Sequence, residues 1–114
     1  MWKFQVIKNN LQNQNVLITG ASSGIGYELS KIFACNGYNL ILIARNYKIL
    51  EEMKKEIIDK FKVKVKIIKK DLSVVSSALE IFHELKKENK YVDILINNAG
   101  AGYVGVFNDI DYEK

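Results

Sequence analysis

Gly20, Gly24 and Gly26, with Ser22 and Ser23 between them, are the densest group of chemically useful residues in the chain; they lie in Thr19-Gly20-Ala21-Ser22-Ser23-Gly24-Ile25-Gly26. Glycine has no Cβ to hold a ligand at a distance, and it reaches backbone angles closed to other residues. The apolar run Val16-Leu17-Ile18 precedes the motif and an apolar-periodic stretch follows it. In a strand, glycine turn and helix, such a loop meets a nucleotide pyrophosphate, because the first-turn amides of the helix and its dipole attract an anion. The hydroxyls of Ser22 and Ser23 can donate to phosphate oxygens. Both serines equally suit a helix N-cap, and the two readings are compatible.

The elements needed to position this loop are legible around it. Apolar runs predict strands at 15–19, 39–44, 63–69 and 92–97, alternating with helices at 24–37, 47–60 and 73–89. The first helix is expected to bury Ile25, Leu29, Ile32 and Phe33, with Gly37 ending it. The second is expected to bury Leu50, Met53, Ile57 and Phe61, and the third Val74, Ala78, Ile81, Phe82 and Leu85. Regular βαβ alternation predicts an α/β fold of Rossmann type, a doubly wound parallel sheet in the order 3-2-1-4. The third strand alternates Val63, Val65 and Ile67 with Lys64 and Lys66. That pattern suits an edge strand, where lysine discourages pairing with another chain. The fourth strand reads as an interior one, so the sheet is expected to be cut short after it, with one apolar edge uncovered. Residues 15–114 are thus expected to form a partial dinucleotide-binding domain behind a polar lead-in at 1–14.

Composition narrows the function classes. At 114 residues the chain has room for one small domain, and 48% hydrophobic content is enough for a core. The net charge of +4 comes from lysines spread along the sequence, so a solvated basic surface is expected and not a nucleic-acid site. No stretch approaches the roughly 20 apolar residues of a membrane span, and the N-terminus lacks the apolar core of a signal peptide. A single cysteine, Cys35, allows no internal disulfide, which fits a reducing cytoplasm. Cys35 is expected to pack near a helix end, His83 to be exposed, and no spacing of ligating residues suggests a metal site.

Three motifs at the ends of successive strands carry a family resemblance. The Gly20-x-x-x-Gly24-x-Gly26 loop, Asp71-Leu72 after the third strand and Asn97-Asn98-Ala99-Gly100 after the fourth resemble those of the classical short-chain dehydrogenase/reductase family. The resemblance covers about residues 15–114 and corresponds to that family's N-terminal half. It implies that Gly20, Ser22, Ser23, Gly24, Ile25 and Gly26 line the pyrophosphate and adenosine ribose. Asp71 would bond the adenine amino group and Leu72 pack beside the ring, although a strand-end turn also explains the pair. Asn97, Asn98, Ala99 and Gly100 would lie under the cofactor's ribose and brace the sheet. An NAD enzyme places an acid about 20 residues beyond the glycines to hold the ribose 2′-hydroxyl, whereas an arginine accommodates a 2′-phosphate. Here Ala44 and Arg45 stand at that point, favouring NADP over NAD. The alternative is that Arg45 is a solvated loop charge.

Family members move a hydride between a nicotinamide and a carbonyl or alcohol, using a serine and a Tyr-x-x-x-Lys pair. A free tyrosine has a pKa of about 10 and needs neighbouring positive charge to work near neutrality. In the family these groups lie beyond the matched region. The only literal match, Tyr27-Glu28-Leu29-Ser30-Lys31, falls on the helix after the glycine loop and reads as a surface pair. The expectation is therefore the cofactor-binding half of an NADP-dependent oxidoreductase, without catalytic residues and inactive alone. A carbonyl or alcohol substrate would be handled only once a C-terminal half completes it. The alternatives are a non-catalytic dinucleotide-binding module completed by a partner chain or a second copy, and an inactive gene remnant.

Overall fold

A computed structural model of the chain describes residues 14–72, 75–98 and 104–105, with Val75 and the last pair described by backbone alone. The order of elements is β1 (Asn15–Thr19), α1 (Gly24–Cys35), β2 (Asn39–Ala44), α2 (Tyr47–Phe61), β3 (Val65–Lys69), α3 (Val75–Lys87), β4 (Ile94–Asn97) and β5 (Val104–Gly105). The sheet runs β3-β2-β1-β4-β5, and its first four strands are parallel. This is the expected order 3-2-1-4, with β3 at the edge. Ser73, Val74, Ala99 and Gly100 and the lead-in 1–13 lie outside the described residues.

Alternation along each strand sends side chains into two cores. Val16, Ile18, Leu40 and Leu42 pack with Leu50, Met53 and Ile57 of α2. Leu17, Ile41 and Ile43 pack on the opposite face with Ile81 and Leu85 of α3. All six residues of β2 are buried, as a strand covered on both faces requires. Asn46 caps α2 by accepting from the Ile49 amide, and Lys62 ends it in the left-handed region at φ 59°.

Three expectations need correction. The sheet does not end at β4: β5 pairs with it antiparallel, Leu95 opposite Gly105 and Ile96 opposite Val104. A fifth parallel strand would need a crossover of about a dozen residues or more, whereas an antiparallel return needs far less. Helix α1 turns a different face inward. Gly26, Ser30 and Ala34 are its buried residues, Leu29 and Phe33 pack partly on the core, and Ile25 is 68% exposed. Small residues at i, i+4 and i+8 let the helix approach the sheet closely, and this outweighs the apolar count. Cys35, one position past Ala34 on the helix, is consequently exposed.

The edge lysine also does more than face water. Lys66 Nζ lies 3.0 Å from Glu84 of α3 and 2.9 Å from Glu88 just past its end, tying that helix to the sheet edge. Burial works to lower the pKa of Lys66, but the hydrogen bonds to Glu88 and Glu84 overcome it and leave the ammonium above its ordinary value. Among the described residues, no buried side-chain nitrogen or oxygen lacks a partner, and no helix is long and apolar enough to cross a membrane.

Candidate cofactor site

The glycine loop turns off β1 through Gly20, whose φ of 61° is one that L side chains rarely adopt. Ser23 then caps α1. Its Oγ accepts from the Gly26 amide at 3.2 Å and donates to the Gly20 carbonyl at 2.9 Å. The Ala21 amide donates to the Ile43 carbonyl at 3.1 Å, which brings the end of β2, and with it Arg45, beside the loop.

The end of β4 is tied to the same turn. The Asn98 amide donates to Thr19 Oγ1 at 2.9 Å. Its side-chain Nδ2 donates to the Gly20 carbonyl at 3.2 Å and to Ser23 Oγ at 2.8 Å. Thr19 Oγ1 lies 3.0 Å from Asn97 Oδ1, to which it can donate its proton. Asn98 therefore braces the glycine loop, while Asn97 ties the end of β4 to the end of β1 through Thr19. Thr19 was not singled out from sequence as a site residue; its signal is its place as the last residue of β1, immediately before Gly20.

This geometry separates the two serines. A hydroxyl has one proton and two lone pairs. That of Ser23 is fully engaged by Gly20, Gly26 and Asn98, so donation to a ligand would sacrifice an existing bond. Ser22 lines the cleft and its hydroxyl makes no hydrogen bond among the described residues. Ser22→Ala should accordingly weaken nucleotide binding with little change in thermal midpoint, whereas Ser23→Ala should lower the midpoint as well. Melting curves with NADPH titrations check this, and identical behaviour of the two variants would contradict the division.

A cleft of about 910 Å³ opens across the carboxyl ends of β1 to β4. Gly20, Ser22, Ser23, Arg45, Asp71, Leu72, Asn97 and Asn98 all contribute to its lining. Ligands in open α/β sheets bind at this end, where the strand order reverses. Ala78 and Phe82 line it too, although the sequence assigned both to the core; Ala78 is exposed and Phe82 half-buried. Arg45 is exposed and forms no ion pair among the described residues. Gly24 and Ile25 are exposed at the start of α1, and their amides make no hydrogen bond among the described residues.

The loop suits a pyrophosphate on its own geometry. A Cβ added at Gly24 would meet no protein atom within 4 Å. The position beside the helix N-terminus is therefore open, and a helix N-terminus attracts anions. Gly26 is the opposite case: its Cβ would overlap the Gly20 carbonyl and stand 2.8 Å from the Ala21 Cα. Gly24 leaves open space at the helix N-terminus, and Gly26 admits the close approach of helix and turn.

The Tyr27/Lys31 pair stands outside the cleft. The Tyr27 hydroxyl lies 2.8 Å from both carboxylate oxygens of Glu56 on α2, and Lys31 Nζ sits 4.4 Å from the Tyr27 ring centroid. The bond to Glu56 raises the phenol's pKa, the wrong direction for a general base. His83 is exposed, as expected, and among the described residues no cluster of His, Cys, Asp and Glu could hold a metal.

A doubly wound sheet with a glycine turn after its first strand defines a dinucleotide-binding domain of Rossmann type. Comparison with known proteins gives the family. The short chain dehydrogenase family model matches residues 14–114. The chain is 36% identical over 105 residues to the mouse dehydrogenase/reductase SDR family member 7B, covering 90% of this chain and 32% of that protein. It is 41% identical over 96 residues to the NADP-dependent 3-hydroxy acid dehydrogenase of Schizosaccharomyces pombe, covering 81% and 36%. Among solved structures, a short-chain dehydrogenase from Sphingobium yanoikuyae in complex with NADPH superimposes with a TM-score of 0.68 at 35% identity, covering 88% of this chain and 39% of that one. L-Sorbose reductase from Gluconobacter frateurii, complexed with NADPH and L-sorbose, gives 0.74 at 28% identity, covering 94% and 41%. The chain belongs to the short-chain dehydrogenase/reductase family of oxidoreductases. It spans about a third of the length of the curated relatives it matches.

Proposed function

We propose that this chain binds NADP across the carboxyl ends of β1 to β4 and forms the cofactor-holding part of an oxidoreductase acting on carbonyl or alcohol groups. The observation that carries this reading is Arg45, which lines the same cleft as the glycine loop, at a strand end where no acid stands. An acid there would repel a 2′-phosphate; a guanidinium attracts and can chelate it. The NADP-dependent and NADPH-bound relatives support the same choice.

In this reading the amides of Gly24 and Ile25, with the Ser22 hydroxyl, hold the pyrophosphate, and Gly20 and Gly26 keep the turn tight beneath it. Asp71 accepts from the adenine amino group and Leu72 packs beside the ring. Asn97, Asn98, Ala99 and Gly100 support the ribose side, with Ser23 and Thr19 fixed behind them. The bound cofactor would supply or accept the hydride. Substrate positioning and proton transfer fall to residues other than those of this cleft, since the one Tyr-x-x-x-Lys pair is turned away from it. A further segment, a complementing chain or a second copy would bring them in beside β4, which β5 pairs over only two residues. A single cysteine supports a reducing, cytoplasmic setting.

Titration of the chain with NADPH and NADH tests the reading. NADPH is expected to bind at least about tenfold more tightly, the worth of one charge-assisted contact, and to raise the thermal midpoint by mass action. Equal affinities would remove the NADP assignment, and a folded chain that binds neither would remove the cofactor site. Residues 1–114 alone should show no NADPH-dependent carbonyl reduction; turnover by a contamination-free sample would place the missing chemistry within them.

A further inference from the structure

Lys70 and Asp71, which follow β3, are tied to both β2 and α3. The Lys70 amide donates to the Ala44 carbonyl at 3.1 Å, joining the turn to the end of β2. Lys70 Nζ pairs with Glu80, one turn into α3. Ser77, also on α3, is only 5% exposed, and its hydroxyl donates to the Asp71 carbonyl at 2.8 Å. Asp71 itself is exposed and lines the cleft, while Ser77 does not line it.

We propose that Ser77 is a positioning residue for adenine recognition, fixing the Asp71 backbone so that its carboxylate meets the 6-amino group of the base. The inference rests on the cofactor reading above and deepens it. A side chain reads a ligand group sharply only when its own backbone is held still, because freedom left before binding must be surrendered on binding. A buried hydroxyl on the Asp71 carbonyl ties the Asp71 main chain to α3 and limits the travel of the Cα that carries the carboxylate. The Lys70–Glu80 pair holds the preceding residue, so the turn is clamped at two successive positions by one helix.

The test compares NADPH with its reduced hypoxanthine analogue, in which a 6-oxo group replaces the amino donor. The native chain should prefer NADPH by about tenfold, the usual worth of a hydrogen bond to a charged group. In Ser77→Ala this preference should fall to about threefold or less, with NADPH losing most of the difference. Ser77→Cys, which leaves a weak donor in place, should fall between, and it carries the test if the alanine variant does not fold. An unchanged preference in folded Ser77→Ala or Ser77→Cys would overturn the proposal, as would equal weakening of both nucleotides, which is what a merely structural role produces. If the native chain binds NADPH but does not discriminate, the Asp71 reading fails first. If it binds neither nucleotide, the cofactor reading itself fails.

Discussion

Gly26→Ala should lower the thermal midpoint by roughly 12 °C or more, if the chain folds at all. The new Cβ would overlap the Gly20 carbonyl oxygen and stand 2.8 Å from the Ala21 Cα and 3.1 Å from the Ala21 carbonyl carbon. All three are backbone atoms of the glycine turn, so no rotamer change relieves the clash. Helix α1 must lift from the turn or the turn must open, and either loses the bond from the Gly26 amide to Ser23 Oγ. Overpacking of this kind costs about 3 kcal/mol or more when the obstruction is backbone. In a domain of this size each kcal/mol moves the midpoint by about 4–8 °C. Gly24→Ala makes the control. Its Cβ meets nothing within 4 Å, so the midpoint should stay nearly constant while NADPH affinity falls, because in the proposed reading the methyl stands where the pyrophosphate binds. Melting curves with and without NADPH read both effects. A Gly26→Ala chain that melts like the native one would show that α1 does not depend on the close approach.

Arg45→Ala should weaken NADPH binding by about tenfold to a hundredfold, the range for losing a hydrogen bond to a charged group, and should leave NADH within about twofold. Arg45→Asp should go further and reverse the preference, since a carboxylate repels the 2′-phosphate but can accept from a ribose 2′-hydroxyl. Arg45 is exposed and lies just past β2, outside the buried cores, so neither change should disturb folding. Calorimetric titration of each variant with both nucleotides separates specificity from general damage. Equal losses for NADPH and NADH would dismiss the 2′-phosphate contact and leave Arg45 a solvated loop charge.

The glycine motif, the parallel order 3-2-1-4 and the strands at 15–19 and 39–44 were legible because each rests on a local pattern. An unbroken apolar run such as Leu40-Ile41-Leu42-Ile43 has few uses other than a strand buried on both faces, and it was found so. Lys64 and Lys66 marked the edge strand because charge is costly anywhere else in a sheet. Counting apolar residues failed on α1. Ile25 was expected inside and is exposed, while the buried stripe is Gly26, Ser30 and Ala34. What chose that face was the distance between helix and sheet, which small residues set and a hydropathy pattern does not record. Ala78 and Phe82 were likewise assigned to the core and proved to line the cleft, because the inner face of α3 overhangs the strand ends.

The sequence by itself determined the elements from β1 to β4, their order and the glycine loop, since backbone freedom, periodicity and charge act between residues close together in the chain. Only the tertiary structure decided which hydroxyl of Ser22 and Ser23 is engaged, that Thr19 and Asn98 lock β1 to β4, that Ser77 holds Asp71, and that β5 returns antiparallel beside β4. Two of these are pairings across long stretches of sequence, such as the 75 positions between Ser23 and Asn98. A hydrogen bond depends on where its donor and acceptor come to rest, and for groups so far apart the folded sheet alone fixes that.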